Sequence, residues 1–380
     1  MTVERPGTII KDSTISHKFL TQYQPVDCTI LSEPNTFFPG IEYRFPFEFV
    51  VPECLLPSSC THHKRSWSLE QAHTSLPPTL GDPLIIGDEP HRVEDLAPPM
   101  CRVSYMLKAT VTRSSLRGNN HSEIIAAVGK KVRIIPAVNE DPPLNIADDS
   151  AEYRTKKEVV IKQGLRRNKC GQLTVSGTQP RPLELQLSSR SLSTDIVGTV
   201  ATLNLRFNPM NDELPPQFDT ISSKLQVLTY LAVEPSSDFP TNYTTAQCGK
   251  MTRRTYHRCI PLLSLQIGSA RWEKHTPSRY GSSNSSSGSP FFPQEKTYYT
   301  MPISIPIIIP NNKSFVPTFH SCFLSRVYAL DLAVSYFTLN RLKKTASLRV
   351  PVQITCRKGI QLPGDSPRSI SPATFQIPGI

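Results

Sequence analysis

Cys54, Cys60, His62 and His63 lie close together in the chain, and thiolate and imidazole donors of this kind suit a tetrahedral zinc ion. Their spacing is not that of a zinc finger, and no second ligand pair follows. The expectation is therefore no metal, and a loop that closes by packing Cys60 into the core. His320 and Ser321 pair a base with a nucleophile in sequence only. Neighbours on a strand point to opposite faces, so they cannot share a proton. His17 and His91 stand isolated. The chain has no G-x-S-x-G elbow, no H-E-x-x-H, no G-x-x-x-x-G-K-[ST] phosphate loop and no G-x-G-x-x-G. The reading is of a protein that is not an enzyme, with no catalytic, cofactor-binding or metal-binding residues.

Two recognition chemistries remain. A Pro-Pro-x-Tyr turn lets the aromatic groove of a WW domain read ring and hydroxyl together. None is present, and only Pro215-Pro216-Gln217-Phe218 places an aromatic at the right offset. Pro215, Pro216 and Phe218 thus make at best a weak WW-type ligand, since Phe218 has no hydroxyl. The second chemistry is charge: 42 Lys and Arg against 31 Asp and Glu leave a formal net charge of +11, which favours acidic partners. The basic residues come as pairs and triplets without interleaved aromatics, so no nucleic acid is expected. Most read as solvated surface, and Arg166, Arg167, Arg253 and Arg254 are the candidates for weak anionic-lipid contact.

The elements that must carry these residues are strands. Thirty-six prolines argue against long helices, because an internal Pro removes a backbone donor and clashes with the turn before it. Tyr43, Phe45, Phe47, Phe49 and Val51 share one parity, as do Val103, Tyr105, Leu107, Ala109 and Val111. Further on, Leu183, Leu185 and Leu187 alternate, then Val197 through Phe207, Leu225 through Val233, Leu324 through Tyr336, and Leu348 through Ile354. A period of two puts each apolar set on one face, and such a sheet needs another to cover it. The expected fold is all-β, with two immunoglobulin-like sandwiches.

At 380 residues two domains are expected. The division runs 1–140 for the first sandwich, 141–157 for a hinge introduced by NEDPPL, 158–360 for the second, and 361–380 for a disordered tail carrying Ser366 and Ser371 in Ser-Pro pairs. A Ser/Gly-rich insertion at 276–290 interrupts the second sandwich. The most apolar run, Ile303 to Ile309, is too short for a bilayer, and the first residues lack the order of a signal peptide. With nine scattered cysteines read as thiols in a reducing compartment, the expected location is cytoplasmic.

Several ordered phrases resemble those of the fungal arrestin-like (α-arrestin) family. They are His17-Lys18-Phe19-Leu20, then Tyr43-Arg44-Phe45-Pro46-Phe47-Glu48-Phe49-Val50-Val51-Pro52, then Leu55-Leu56-Pro57 with Cys60 and His62, and Leu76-Pro77-Pro78-Thr79-Leu80-Gly81-Asp82. Val103-Ser104-Tyr105 follows, and Pro317 to Cys322 with Arg326 to Leu332 resembles a late strand of the second sandwich. The resemblance implies an arrestin-type fold and an adaptor that binds the cytosolic tails of plasma-membrane transporters or receptors. Such an adaptor links them to endocytic trafficking or to a HECT-type ubiquitin ligase, and sits peripheral to the plasma membrane or endosomes. Two departures qualify this. Family members carry several strands before the segment resembling His17 to Leu20, whereas 16 residues precede it here, so the N-terminal sandwich is expected to be partial. The Pro-Pro-x-Tyr motif that recruits the ligase is missing. The rival readings are an enzyme on a β-sandwich scaffold and a nonfunctional truncated relative. The partner-binding surface is expected near Leu76 to Pro99 and Thr276 to Pro290.

Overall fold

In a computed structural model the protein is described at residues 2–4, 14–24, 36–38, 40–82, 94–114, 122–147, 150–163, 168–187, 194–242, 252–268, 271–276, 296–338 and 342–357. The fold is all-β, with a single α-helix among the described residues.

The larger part is a sandwich built after residue 155. Its first sheet holds β6 (Lys156–Gln163), β7 (Asn168–Gly177), β10 (Thr199–Pro209), β14 (Tyr298–Ile307) and β13 (Glu273–His275), in the order β13-β14-β10-β7-β6. The facing sheet holds β12 (Arg253–Gln266), β11 (Gln217–Ala232), β16 (Leu324–Phe337), β15 (Phe319–His320) and β17 (Lys343–Val352), with β11 and β16 at its centre. Alternation explains how the two meet. Ala201, Leu203, Leu205 and Phe207 of β10 are buried, whereas Asn204 and Arg206 between them are exposed. Tyr328, Leu330, Leu332, Val334 and Tyr336 of β16 come across from the other sheet and join them in one core. Burying an aliphatic side chain of this size is worth about 1.5–3 kcal/mol, so this face dominates the stability of the fold.

Two boundaries differ from the periodicity. Val197 does not continue into β10. It ends β9 (Thr194–Val197), which pairs with β8 (Leu183–Leu187), and Gly198 separates the two strands. A Cβ on Gly198 would lie 2.8 Å from the Ile307 carbonyl oxygen, so the chain can pass there only as glycine. Likewise Ile354 belongs to β18 (Ile354–Cys356), which lies parallel to β8, and not to β17.

The segment 150–154 is clamped to the outer face of the β11/β16 sheet. Tyr153 packs on Leu228, Tyr230 and Ala329. Tyr230 donates its hydroxyl proton to the Glu152 carboxylate, and Arg154 exchanges backbone hydrogen bonds with Arg349 at 2.8 and 3.0 Å. Arg349 in turn forks onto Asp331 at 2.6 and 2.9 Å.

The N-terminal part is less regular. β1 (Thr2–Glu4) pairs with β2 (Thr14–Ser16) and β3 (Cys101–Arg102). β4 (Tyr105–Ser114) and β5 (Ser122–Val132) form a ribbon paired only with each other among the described residues. The run Tyr43 to Val51, expected as a strand from its parity, has no ladder partner among the described residues. It is held instead by rings and side-chain bonds, with Phe37 edge-on to Tyr43 at 5.2 Å and the Gln24 side chain accepting from Glu48 N at 2.7 Å. Its alternation sets faces but supplies no neighbouring strand. The N-terminal core joins Leu55, Leu76, Leu80, Cys101, Val103 and Tyr105 to Leu231, Val316, Phe319 and Leu324, so it rests on one end of the sandwich.

Candidate functional site

A closed loop brings the chemistry together. Cys54 and Ser75 form an antiparallel bridge, and Leu55 N donates to the Thr74 carbonyl at 2.7 Å, pinning the loop at its neck. Inside it, a 3-10 turn at Pro57–Ser59 ends with Cys60 N donating to the Pro57 carbonyl at 3.1 Å. The helix α1 (Trp67–Thr74) follows, with the Ser66 hydroxyl accepting from Leu69 N at 3.2 Å as its N-cap. It stops before Pro77 and Pro78, which cannot continue a helix. Leu69 and His73 lie one turn apart on the same face and are both buried, and that face packs against β15. His73 is thereby aimed back at Cys60.

Cys322 enters from the other side, in the tight turn between β15 and β16. That turn is held by Ser321, whose N–H and hydroxyl both donate to the Leu324 carbonyl, at 3.0 and 2.7 Å. Cys60 Sγ lies 3.4 Å from His62 Nδ1, 3.7 Å from His73 Nδ1 and 3.1 Å from Cys322 Sγ. All four donor atoms fall within 4.8 Å of one another; Cys60, His73 and Cys322 are buried and His62 is half-buried.

The surroundings bias the protonation of His62, His73 and Cys322. His62 Nε2 lies 3.0 Å from the Ser236 carbonyl, a contact that requires Nε2 to carry the proton and leaves the Nδ1 lone pair facing the sulfurs. Burial, and then the neighbouring His62, push His73 down to about 4, so its ring is neutral at pH 7. Burial pushes the Cys322 thiol up to about 12, with the Cys60 sulfur adding to the shift. Lys64 Nζ donates to the Cys60 carbonyl at 2.6 Å, and Arg65 ties the loop to Asp238 at 2.9 Å and to the Ser237 carbonyl at 3.0 Å. Two sulfurs and two imidazole nitrogens at these separations make a donor set for a soft or borderline tetrahedral cation.

This set differs from the one the sequence suggested. Cys60 is buried as expected, but Cys54 and His63 are exposed and turn away. The second pair comes from His73 and from Cys322, 262 positions from Cys60. Only His73 carried a local signal, its helical spacing from Leu69.

The other candidates fall elsewhere. His320 and Ser321 do not share a proton: the Ser321 hydroxyl is bonded to the Leu324 carbonyl, and His320 is half-buried edge-on to Phe239 at 4.8 Å, its buried Nδ1 without a partner among the described residues. His17 packs on Phe323 at 5.3 Å, and His91 lies outside the described residues. Pro215, Pro216 and Phe218 lead into β11. Phe218 is 4% exposed, between Trp272 at 5.4 Å and Tyr336 at 6.2 Å, and the Pro216 carbonyl accepts from the Trp272 indole at 3.2 Å. The ring that a WW groove would read is part of the core. Arg166 and Arg167 lie outside the described residues. Arg253 and Arg254 are successive at the start of β12, opposite Ala232 and Leu231, so their side chains leave the strand on opposite faces. Within the expected partner surface, Leu76 to Leu80 is buried, and 83–93 and 277–295 lie outside the described residues. No described helix is long and apolar enough to cross a membrane.

The exposed feature that sequence reasoning passed over is the β4/β5 ribbon. Tyr105 is buried, donating its hydroxyl to the Pro77 carbonyl at 2.5 Å, but the ribbon then leaves the core. Met106, Ile124, Ile125 and Val128 are exposed along it, and neither outer edge is paired over its length among the described residues. No family model matches the chain, and no curated protein matches it.

Proposed function

We propose that this chain is an arrestin-like adaptor that works by binding and not by catalysis. It takes the cytosolic tails of membrane transporters or receptors and links them to endocytic trafficking, from a cytoplasmic position peripheral to the plasma membrane or endosomes. The observation that carries the reading is the β4/β5 ribbon. Its two edges, unpaired among the described residues, offer backbone N–H and C=O groups to an extended segment, and Met106, Ile124 and Val128 offer apolar contacts beside them. The phrase resemblance described above supplies the class of partner. Ubiquitination belongs to the same proposal, but with Phe218 in the core a ligase would have to dock elsewhere than on Pro215-Pro216-Gln217-Phe218.

The test is proximity labelling in the native cell with the wild-type chain and with an Ile124→Lys/Val128→Lys variant. Both positions are exposed, so the variant should melt as the wild type does. The expected result is enrichment of integral membrane proteins by the wild type and their loss with the variant, with a synthetic tail peptide of an enriched protein binding only the wild type. Equal labelling by both chains, or no integral membrane protein among the enriched set, would overturn the proposal.

A further inference from the structure

We propose that Cys60, His62, His73 and Cys322 bind one zinc ion as a closed structural centre, which fastens the loop between Cys54 and Ser75 to the turn between β15 and β16. Zinc–sulfur bonds of about 2.3 Å and zinc–nitrogen bonds of about 2.0–2.1 Å place the corners of a tetrahedron roughly 3.3–3.8 Å apart. The Cys60 Sγ separations of 3.4 and 3.7 Å from the two imidazole nitrogens fall in that range. The sulfurs, 3.1 Å apart, need to open by about 0.7 Å to reach the roughly 3.8 Å edge that two zinc-bound sulfurs span.

Four protein donors fill a tetrahedral shell, so the site has the closed form of a structural centre and no open position for a reacting water. The absence of a carboxylate from the set disfavours calcium and magnesium, which take oxygen ligands. Two thiolates cancel the charge of a divalent ion, so the loaded centre is neutral and can be buried. The second shell is in place as well. The Ser236 carbonyl orients the His62 ring, and metal-ligating histidines generally have such a partner on their other nitrogen. Cys60 caps the 3-10 turn, His62 follows it, His73 sits on α1, and Cys322 lies in a hairpin turn 262 positions from Cys60. The ion would therefore join the N-terminal part to the sandwich. This inference does not depend on the adaptor reading, and its failure would leave that reading intact.

The sharpest rival is a Cys60–Cys322 disulfide, since both sulfurs are close; a covalent bond would bring them to about 2.05 Å. The test uses the full chain purified under reducing conditions without chelator. We expect about one zinc per chain by elemental analysis, and on exchange with cobalt(II) the intense visible bands of a tetrahedral site with thiolate charge transfer. Cys322→Ser and His73→Gln should each weaken zinc by more than the roughly 10–100-fold typical of losing an outer-shell partner. Cys54→Ser and His63→Gln should retain full occupancy. If the ligand variants fail to fold, the wild-type zinc content and cobalt spectrum decide alone. A zinc-free wild-type chain giving no cobalt bands, a mass two units lower from a Cys60–Cys322 disulfide, or zinc retained equally in Cys322→Ser would overturn the proposal.

Discussion

Replacing Lys131 with Met should cost more stability than replacing its partner Asp82 with Asn, although both changes break the same ion pair. The Lys131 ammonium meets the Asp82 carboxylate at the end of the buried Leu76–Asp82 strap. The Asp82 side chain is 1% exposed, whereas Lys131 is 44% exposed. Asp82 Oδ2 has no other partner among the described residues. The strap is otherwise held by Leu80 and Val103 exchanging backbone bonds at 3.1 and 2.7 Å, and by Thr79 N donating to Ile134 O at 2.8 Å. It therefore cannot swing out to rehydrate the carboxylate. Removing one partner of a fully buried pair costs about 3–5 kcal/mol, and the half-exposed lysine lowers the figure for Lys131→Met to roughly 2–3 kcal/mol. Asp82→Asn leaves behind only an ammonium that water reaches, and should cost about 1 kcal/mol. The double variant should recover part of the loss, with a coupling of at least about 1 kcal/mol. Urea unfolding followed by Trp67 and Trp272 fluorescence measures all three, with Lys130→Met on the exposed ribbon as the control. Equal losses for Lys131→Met and Lys130→Met, or a larger loss for Asp82→Asn, would refute the burial argument.

Two further outcomes follow from close contacts. Gly171→Ala would set a Cβ 2.5 Å from Phe207 Cζ and 2.6 Å from the Asn208 carbonyl oxygen. The backbone oxygen cannot yield, so a loss of about 1–3 kcal/mol in a denaturant titration is expected, and an unchanged midpoint would contradict the packing described. Ser66→Ala removes the N-cap that accepts from Leu69 N, and should cost about 1 kcal/mol locally. Faster amide exchange confined to 67–75 is the expected signature, and exchange unchanged there would mean that the cap is not holding α1.

Leu324 to Tyr336 shows what alternation alone determines. Every apolar position named from its parity is buried in β16, because a period of two fixes which face looks inward whatever the partner. Proline frequency likewise argues against long helices, and among the described residues the one α-helix is the eight residues of α1. Tyr43 to Val51 has the same periodicity and, among the described residues, no ladder: parity names a face, but a strand also needs a neighbour, and that neighbour is set by chain crossings that no local window contains. Gly198 divides β9 from β10 for a similar reason: the Ile307 carbonyl that forbids a side chain there arrives from β14. The candidate centre is the clearest case. Cys60 and His62 are visible as donors in sequence, and His73 is aimed by its helical turn. Cys322 joins them only because the N-terminal core rests on the end of the sandwich where the β15/β16 turn emerges. Strand character, the inward faces and half of the donors can be read from the order of residues alone. The tertiary structure decided which strands pair, which edges stay open and which distant sulfur completes the site, because those depend on contacts between residues hundreds of positions apart.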